Sequence, residues 1–428
     1  MTSSGGKDIS VVIPTFNRAA MLRRVLDSLT RQSISRDRYE VIVVDDGSSD
    51  DTSRVCDEMA PYLALTYLAI NHGGISAAKN AGLAAAAAPI LLFFDDDDVA
   101  DVALLEEHLR THAEYAEENV AVLGFTTWHP LLTVTPFMEW LTDVGQFLLA
   151  YQSLTDGARL PYTYFWGGRA SCKVSLLSKH GAFDERFRFA EDIELAYRLS
   201  QHGLSVVFNK RAASYMIRPI GVDAHLKRCE RAGEALALFS RVHPDPPVAQ
   251  YCRAMGVTLP WDDDTLDAQV RRIAQLESEL NAPSDDAARQ GRVWELWDLY
   301  WWALQGTTAR AFAKAGGRAD ADGLPALEGD AQQRLWSTRH RRGGELMAEL
   351  RTLRVGIADR DRSVRALQAE LHRKVGEANA VIHGLQEELH AKVGERDQTI
   401  LALRAELFEK VEERDVEIRR LQRELESR

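Results

Sequence analysis

The sequence predicts an α/β protein that is built on a mainly parallel sheet and ends in a long polar helix. Strand-like and helix-like segments alternate four times within about 110 residues, which is typical of parallel strands joined by helices. The last proline is Pro325, and Phe408 is the only aromatic residue between positions 356 and 428. The first part of the chain should therefore be a mixed globular domain and the last part a helix.

Four short apolar or β-branched runs predict the strands of this sheet. The first run ends at Pro14, and apolar residues then recur with a helical period as far as Leu29. The fourth run is apolar throughout, as expected of a strand that is buried on both faces. The predicted strands are residues 9–13, 39–44, 64–70 and 90–94, with an alanine-rich helix at 75–88.

The rest of the chain is less regular and then helical. Prolines interrupt residues 120–218, and Pro244 to Pro260 indicate a boundary. Helices are expected near 136–150, 173–180, 193–202, 223–242, 262–282 and 293–314. These patterns predict a disordered N-terminus at 1–7, a globular domain at 8–245, a helical linker region at 246–329 and a coiled coil at 330–428.

Composition and charge narrow the class of function. The 428 residues include 64 acidic and 52 basic side chains, for a net charge of −12, which argues against a nucleic-acid partner because such proteins show a basic footprint. The four cysteines share no metal-type spacing and fit reduced thiols. No secretory signal or transmembrane run is evident. We expect a cytoplasmic protein, with peripheral contact at the inner face of a membrane as the alternative.

Four consecutive aspartates follow the fourth predicted strand, at positions 95–98. Like charges this close raise one another's pKa. A divalent cation would relieve the conflict, since hard cations prefer carboxylate oxygens and often share them with phosphates. The alternative is a solvated acidic turn or a set of helix caps. The position at the carboxyl end of a strand, where ligands bind in such sheets, favours the metal site.

Two further acidic pairs have both a structural and a functional interpretation. Asp45 and Asp46 follow the second predicted strand, where they could form an Asx turn and helix cap or accept hydrogen bonds from a nucleotide base or ribose. Glu191 and Asp192 stand at the start of a predicted helix. An acidic residue there is often a cap, but a carboxylate beside a bound acceptor could also act as a general base.

Six strings, which occur in a fixed order over about residues 8–245, resemble the family 2 glycosyltransferases. These are inverting enzymes with a GT-A fold, a mixed sheet with helices on both faces that binds nucleotide-diphospho-sugars. The strings are SVVIPTFNR, EVIVVDDGSSDDT, NHGGISAAKNAGLAAA, ILLFFDDDD, GGRASCKVSLLSKHGAFDERF and AEDIELAYRLSQHG.

That resemblance implies roles for individual residues. Asp192 would be the catalytic base, with Glu191 supporting it, and the acceptor side would be lined by Trp166, Gly167 and Gly168. The donor-binding residues would be Pro14, Thr15, Asn17, Asp45, Asp46, Lys79 and Asp95. Mg²⁺ or Mn²⁺ would be bound by the DxD pair Asp95 and Asp97, with Asp98 as a competing ligand.

Two residues depart from the family pattern. Lys79 stands where arginine is more usual, and it offers a point charge instead of a planar fork. The histidine that many members carry soon after the last strand is missing from the segment SYMIR. Arg218, the last residue of that segment, is a candidate to neutralise the diphosphate instead.

The implied function is metal-dependent transfer of a sugar from a UDP- or GDP-linked donor to a glycan, lipid-linked or protein acceptor, in polysaccharide or glycoconjugate synthesis of the bacterial type. One alternative is an oligomeric scaffold whose transferase domain is degenerate. Another is a nucleotidyltransferase on a related sheet, which is disfavoured because no glycine-rich, basic phosphate loop follows the first strand.

The end of the chain repeats with a step of 18 residues, starting at Leu367, Leu385, Leu403 and Leu421. Eighteen residues make five helical turns, so the apolar stripe stays on one face. We expect a homo-oligomer or another coiled-coil partner through residues 356–428, with a lone solvated helix as the alternative.

A second helical feature is rich in tryptophan. Trp294, Trp297 and Trp301 share one face of the predicted helix at 293–314, with Trp302 beside them. We expect this face to pack on the globular domain or a partner helix. Interfacial membrane contact is the alternative.

Overall fold

The computed structural model describes residues 6–151, 154–259, 261–280 and 286–319, together with eight separate positions between 370 and 414. The chain divides into two compact units, Met1–Ala326 and Leu327–Arg428. The predicted repeat lies in the second unit and falls almost entirely outside the described residues. The disordered N-terminus predicted at 1–7 lies mostly outside them as well.

One mixed sheet forms the centre of the first unit. In the described residues its strand order is β3-β2-β1-β4-β8-β6-β9-β5, with β7 paired to β9. The first four strands are parallel, whereas β8 runs antiparallel to both of its neighbours. The strands are β1 Ile9–Thr15, β2 Tyr39–Asp45, β3 Leu65–Ala69, β4 Ile90–Phe93, β5 Asp98–Ala100, β6 Val120–Trp128, β7 Arg159–Leu160, β8 Ala170–Lys173 and β9 Ser205–Met216.

Helices cover both faces of this sheet because side chains alternate along each strand. In β1, Val11 and Ile13 join a core with Leu22 and Leu26 on one face. Val12 points to the other face, into a core that includes Leu195. The helices are α1 Ala19–Leu29, α2 Thr52–Met59, α3 Ile75–Ala85, α4 Leu104–Glu114, α5 Pro136–Glu139, α6 Val174–His180, α7 Glu191–Ser200, α8 Val222–Val242, α9 Pro246–Ala254, α10 Asp263–Leu280 and α11 Asp286–Lys314.

The four predicted strands and the mixed architecture implied by the family resemblance are confirmed, and the expectation of a mainly parallel sheet is wrong. Strands β5 to β9 were not predicted. Their sequences lack a clean apolar alternation: β9 carries Asn209, Lys210 and Arg211 at its centre, beside a break in its register with β6. Because they pair mostly across long stretches of chain, local periodicity does not indicate them.

The helical region predicted as a linker after residue 245 packs instead on the sheet-containing part. Phe187 and Ile193, which flank the start of α7, share one core with Phe239 of α8, Val248 of α9 and Phe312 of α11. This continuous core leaves no packing boundary at residue 245 in the part of the chain that the structure describes.

The tryptophan-rich face belongs to α11, which packs against α8 and α10. Trp297 is only 6% exposed, and Leu296 and Tyr300 beside it are buried. Packing on the globular domain therefore describes this helix. Within the described residues, no helix is both long and apolar enough to cross a membrane.

Candidate active site

The carboxyl ends of β1, β2 and β4 bring the predicted donor-binding segments together. Thr15 lies opposite Asp45 in the register of β1 with β2, and β4 pairs with the other side of β1. The buried Thr15 hydroxyl donates to Asp96 Oδ2 at 2.8 Å. Segments that are about 80 residues apart in the chain therefore meet at one edge of the sheet, as the polar residues after each strand predict.

Asp45 and Asp46 hold the loops of this edge. Asp45 accepts a hydrogen bond from the backbone N–H of Ser48 at 2.8 Å and from the Tyr67 hydroxyl at 2.7 Å. Asp46 accepts from the backbone N–H of Gly73 at 2.7 Å. The Asx-turn interpretation thus describes Asp45, and both carboxylates shape the loops that a nucleotide would meet.

Asn17 and Phe16 form the open side of the same edge. Asn17 adopts a left-handed backbone, with φ 52°, and its side-chain oxygen accepts from the Ser49 N–H at 2.8 Å. Phe16 is 43% exposed, and its ring lies 4.6 Å from that of His72. Pro14 is buried within β1, and its contact with the donor stays a prediction.

Each aspartate of the acidic run has a different environment. Arg18 Nη1 lies 2.6 Å from Asp96 and 3.4 Å from Asp97, and Arg218 also donates to Asp97. Burial raises the pKa of Asp96 to about 6, against the opposing effect of Arg18. Asp95 is the most accessible of the four, with a side chain 34% exposed.

Asp98 begins β5 and is fully enclosed. Its Oδ2 lies 3.2 Å from Arg169 Nη2 and accepts a longer hydrogen bond from the Thr126 hydroxyl, at 3.4 Å. Burial raises the pKa of Asp98, an effect that Arg169 opposes. Arg169 also lies 3.3 Å from Asp95 Oδ2. Asp98 therefore serves here to hold Arg169 beneath Asp95.

The Glu191–Asp192 pair lies on the opposite wall, at the start of α7. The residue before it, Ala190, has a left-handed backbone with φ 53°, an unusual conformation for a residue with a Cβ. Asp192 accepts from the N–H groups of Gly167 and Ile193, each at 2.8 Å. Burial, together with the charge of Glu191, raises the pKa of Asp192 to about 6.

Lys79 belongs to this wall. Its ammonium lies 2.6 Å from Glu191 Oε1, and its side chain is 3% exposed. Burial lowers its pKa, but the charges of Glu191 and Asp192 outweigh that effect and raise it overall. The Lys79 ammonium is therefore already bonded to Glu191, and its contact with the nucleotide stays a prediction.

Gly167 and Gly168 join the two walls of the site. The Asp95 N–H donates to the carbonyl of Gly168 at 3.2 Å. A Cβ on Gly168 would lie 2.0 Å from the Asp95 carboxylate, and one on Gly167 would lie 2.5 Å from Lys79 Nζ. A side chain at Gly168 would therefore displace the Asp95 carboxylate, and one at Gly167 would displace the Lys79 ammonium.

Trp166 is half-buried beside these glycines. Its indole N–H donates to the carbonyl of Thr163 at 3.0 Å, and its ring lies 5.1 Å from that of Tyr151. Its contact with an acceptor stays a prediction.

The donor set of the acidic run fits a hard divalent cation that is shared with a ligand. No group of three or more His, Cys, Asp or Glu side chains among the described residues could hold a metal ion alone. Magnesium sites at phosphates commonly use only one or two carboxylates, the phosphates supplying further oxygens. Asp95 is the accessible member of the proposed pair, with its side chain 34% exposed. Asp97 is only 3% exposed and contacts Arg18 and Arg218, and Asp98 is fully enclosed beside Arg169.

The arginines of the site were largely missed from the sequence. Arg18 and Arg169 lie inside the strings FNR and GGR but carry no signal of their own. The one indication of these arginines in the sequence is charge balance, since four adjacent aspartates at the end of a buried strand require compensating cations. Arg218, the candidate diphosphate partner, contacts Asp97.

Comparison with known proteins gives the family that part of this chain matches. The family described as "Glycosyl transferase family 2" matches residues 10–151. Validoxylamine A glucosyltransferase of Streptomyces hygroscopicus subsp. jinggangensis is 31% identical over 265 residues, which cover 55% of this chain and 61% of that protein. Chondroitin synthase of Escherichia coli is 28% identical over 266 residues, 55% of this chain and 38% of that one.

Among solved structures, a mannosyltransferase from Pyrobaculum calidifontis in complex with GDP-Man and Mn²⁺ is similar with a TM-score of 0.48 and 21% identity. The matched region covers 73% of this chain and 88% of that one. The chain thus spans about three fifths of the length of the validoxylamine A glucosyltransferase and less of the chondroitin synthase. The part of this chain that carries the acidic run and the nucleotide loops lies within residues 10–151, the segment that matches glycosyl transferase family 2.

Proposed function

We propose that this chain transfers a sugar from a nucleotide-diphospho-sugar to an acceptor hydroxyl, with inversion at the anomeric carbon. The observation that supports this most directly is the pair Gly167 and Gly168. One glycine donates its N–H to Asp192, and the other accepts from the backbone of Asp95. The candidate base and the first aspartate of the acidic run are therefore held by two adjacent residues. An in-line displacement needs its acceptor side and its leaving-group side to be positioned together in this way.

Asp192 is the proposed general base. Its carboxylate would take the proton of the acceptor hydroxyl as the hydroxyl oxygen forms a bond to the anomeric carbon. The bond from that carbon to the phosphate oxygen breaks, and its electron pair leaves with the nucleoside diphosphate. A raised pKa near 6 suits this task, because a base works best when its pKa approaches the operating pH.

The nucleoside would lie at the edge formed by β1 and β2. Thr15, Asn17, Asp45 and Asp46 are the residues whose loops define it. Asp95 and Asp97 would hold a divalent cation, Mg²⁺ or Mn²⁺, which when bound offsets the negative charge of the diphosphate. Trp166 is the proposed acceptor-side surface.

The proposal extends to the nucleotide of the donor, the class of acceptor and self-association of the chain. The donor is UDP- or GDP-linked, and the acceptor is a glycan, a lipid-linked glycan or a protein. Residues 356–428 would mediate oligomerisation through their 18-residue repeat. Light scattering of the full chain and of a chain that ends at residue 326 tests this last point, and equal stoichiometry would reject it.

A donor screen tests the proposed activity. The full chain is incubated with UDP- and GDP-linked sugars, with Mn²⁺ or with EDTA, and release of nucleoside diphosphate is measured. We expect one donor to be turned over, even by slow hydrolysis without an acceptor, and only with the metal. Absence of both binding and turnover across the panel would favour the degenerate scaffold.

A further inference from the structure

We propose that Arg228, on α8, binds the diphosphate of the donor and of the nucleoside diphosphate product. The inference deepens the proposed function and rests on it. Arg228 lies outside all six strings that carry the family resemblance, and its position in the cleft is visible only in the folded chain.

Four other cations near the acidic groups are already paired in the described part of the chain. Arg18, Arg169 and Arg218 each contact aspartates of the acidic run, and Lys79 is bonded to Glu191. Against these four cations stand six carboxylates, at residues 95–98, 191 and 192. An entering diphosphate would add negative charge to a site whose paired cations have little left to offer.

Arg228 differs from these cations because it makes no ion pair with any carboxylate in the described chain. Its charge nevertheless interacts with those of Asp95 and Asp192, on the two walls of the site. Arg228 is an exposed residue that a ligand can reach, and partial desolvation together with the charges of Arg218 and Arg169 lowers its pKa. Arg228 is thus an accessible cation near the acidic groups of both walls. Its N–H groups have no carboxylate partner among the described residues.

Phe189 holds this guanidinium in place. The Arg228 Cζ atom lies 4.7 Å from the centroid of the Phe189 ring, which precedes Glu191 by two residues. Contact with a ring occupies the face of a guanidinium and leaves its in-plane N–H groups free. Those N–H groups match the oxygens of a phosphate in a planar, bidentate geometry that lysine cannot reproduce.

The position of Arg228 suits stabilisation of the leaving diphosphate. As the bond between the anomeric carbon and the phosphate oxygen breaks, its electron pair moves onto the diphosphate, whose charge becomes more exposed. A guanidinium that donates to those oxygens stabilises the developing charge. The proton of the acceptor goes to Asp192 on the opposite side, so Arg228 exchanges no proton and acts by electrostatics alone.

Binding of the product and of its nucleoside tests the proposal. Wild-type chain, Arg228→Ala, Arg228→Lys and Arg231→Ala are titrated with UDP, GDP, uridine and guanosine at fixed Mn²⁺, with dissociation constants from NMR titration. Arg231 is the matched control, because it lies three residues further along α8 with its Cζ 5.6 Å from the same ring. The nucleosides carry the base and ribose without the diphosphate.

We expect Arg228→Ala to weaken binding of the preferred diphosphate by about 10- to 100-fold, the usual effect of losing charge-assisted hydrogen bonds. Nucleoside affinity should not change, Arg228→Lys should recover only part of the loss, and Arg231→Ala should match the wild type. The proposal is overturned if Arg228→Ala binds the diphosphate as the wild type does, or if it loses nucleoside affinity equally. If the wild type binds neither diphosphate, the proposed function itself fails. Equal binding by the wild type and Arg228→Ala rejects only the role of Arg228.

Discussion

Lys79 and Glu191 form a buried ion pair beside the candidate base, with Nζ 2.6 Å from Oε1 and both side chains less than one-tenth exposed. The two partners act on Asp192 in opposite directions: the charge of Glu191 raises its pKa, and that of Lys79 lowers it. A buried pair of this kind costs desolvation free energy and contributes little net stability. Its role here is to set the charge around Asp192.

The pH dependence of sugar transfer should reflect the pKa that Lys79 and Glu191 set for Asp192. Asp192 acts as a base only when ionised, so kcat/KM should fall as the pH falls through about 6, the raised pKa of Asp192. Glu191→Gln removes the carboxylate charge that raises this pKa. The acid limb of the pH profile should therefore move to lower pH in that variant.

Glu114→Gln, an exposed change on α4, is the matched control and should leave the profile unmoved. An acid limb that stays at the wild-type pH in Glu191→Gln would contradict the electrostatic role of Glu191.

Asp192→Asn should remove catalysis and spare donor binding. The asparagine keeps the size of the side chain and can still accept from one of the two N–H groups at Gly167 and Ile193. Loss of a general base typically costs roughly 10²- to 10⁴-fold in rate. Steady-state kinetics and donor titration measure the two effects separately, and wild-type kcat in this variant would sink the assignment of the base.

Gly168→Ala should impair activity without unfolding the protein. The new Cβ would fall about 2 Å from the carboxylate of Asp95, which is the movable end of a side chain and can turn away. A displacement of about 1 Å at a reacting group can cost on the order of 10²-fold in rate. Gly221→Ala is the control, since a Cβ there would meet no described atom within 4 Å.

We expect Gly168→Ala to need more Mn²⁺ for half-maximal turnover, while its melting temperature stays close to that of Gly221→Ala. Equal metal response in the two variants would show that Asp95 does not hold the cation.

Removal of divalent cations should stop turnover. EDTA should abolish release of nucleoside diphosphate, and added Mn²⁺ or Mg²⁺ should restore it. Asp97→Asn should raise the metal concentration that is required, because Asp97 supplies one of the two proposed ligands. Full activity in EDTA would leave charge neutralisation to the arginines of the site and would contradict the metal proposal.

Truncation should separate the packed helices from the tail. A chain that ends at residue 326 keeps the core that joins Phe187, Phe239 and Phe312, and it should melt cooperatively and bind donor. A chain that ends at residue 245 loses Val248 and Phe312 from that core. At about 1.5–3 kcal/mol for each buried apolar side chain, the losses approach the 5–15 kcal/mol stability of a typical domain.

The shorter chain should therefore be unfolded or aggregated when examined by circular dichroism and calorimetry. A folded, donor-binding chain that ends at residue 245 would restore the predicted domain boundary and make the helical region a true linker.

Much of the fold could be predicted because its signals are local. The run ISVVI before Pro14 and the apolar run before Asp95 each indicate a strand from a few neighbouring residues. The sequence pattern does not predict strand β9, because its centre is polar and its pairing with β6 is interrupted. Pairing across the sheet, and not local periodicity, makes those residues a strand.

The sequence by itself determined the strand–helix alternation of the first hundred residues, the acidic segments and the repeat at the end of the chain. Only the tertiary structure decided how the charges are paired. Arg218 contacts Asp97 across 121 residues of chain, and Lys79 contacts Glu191 across 112. Electrostatic interaction depends on distance in space and on burial, and neither can be read from the order of residues. The same reason hid Arg228, whose significance lies in having no carboxylate partner among the residues described around the cleft.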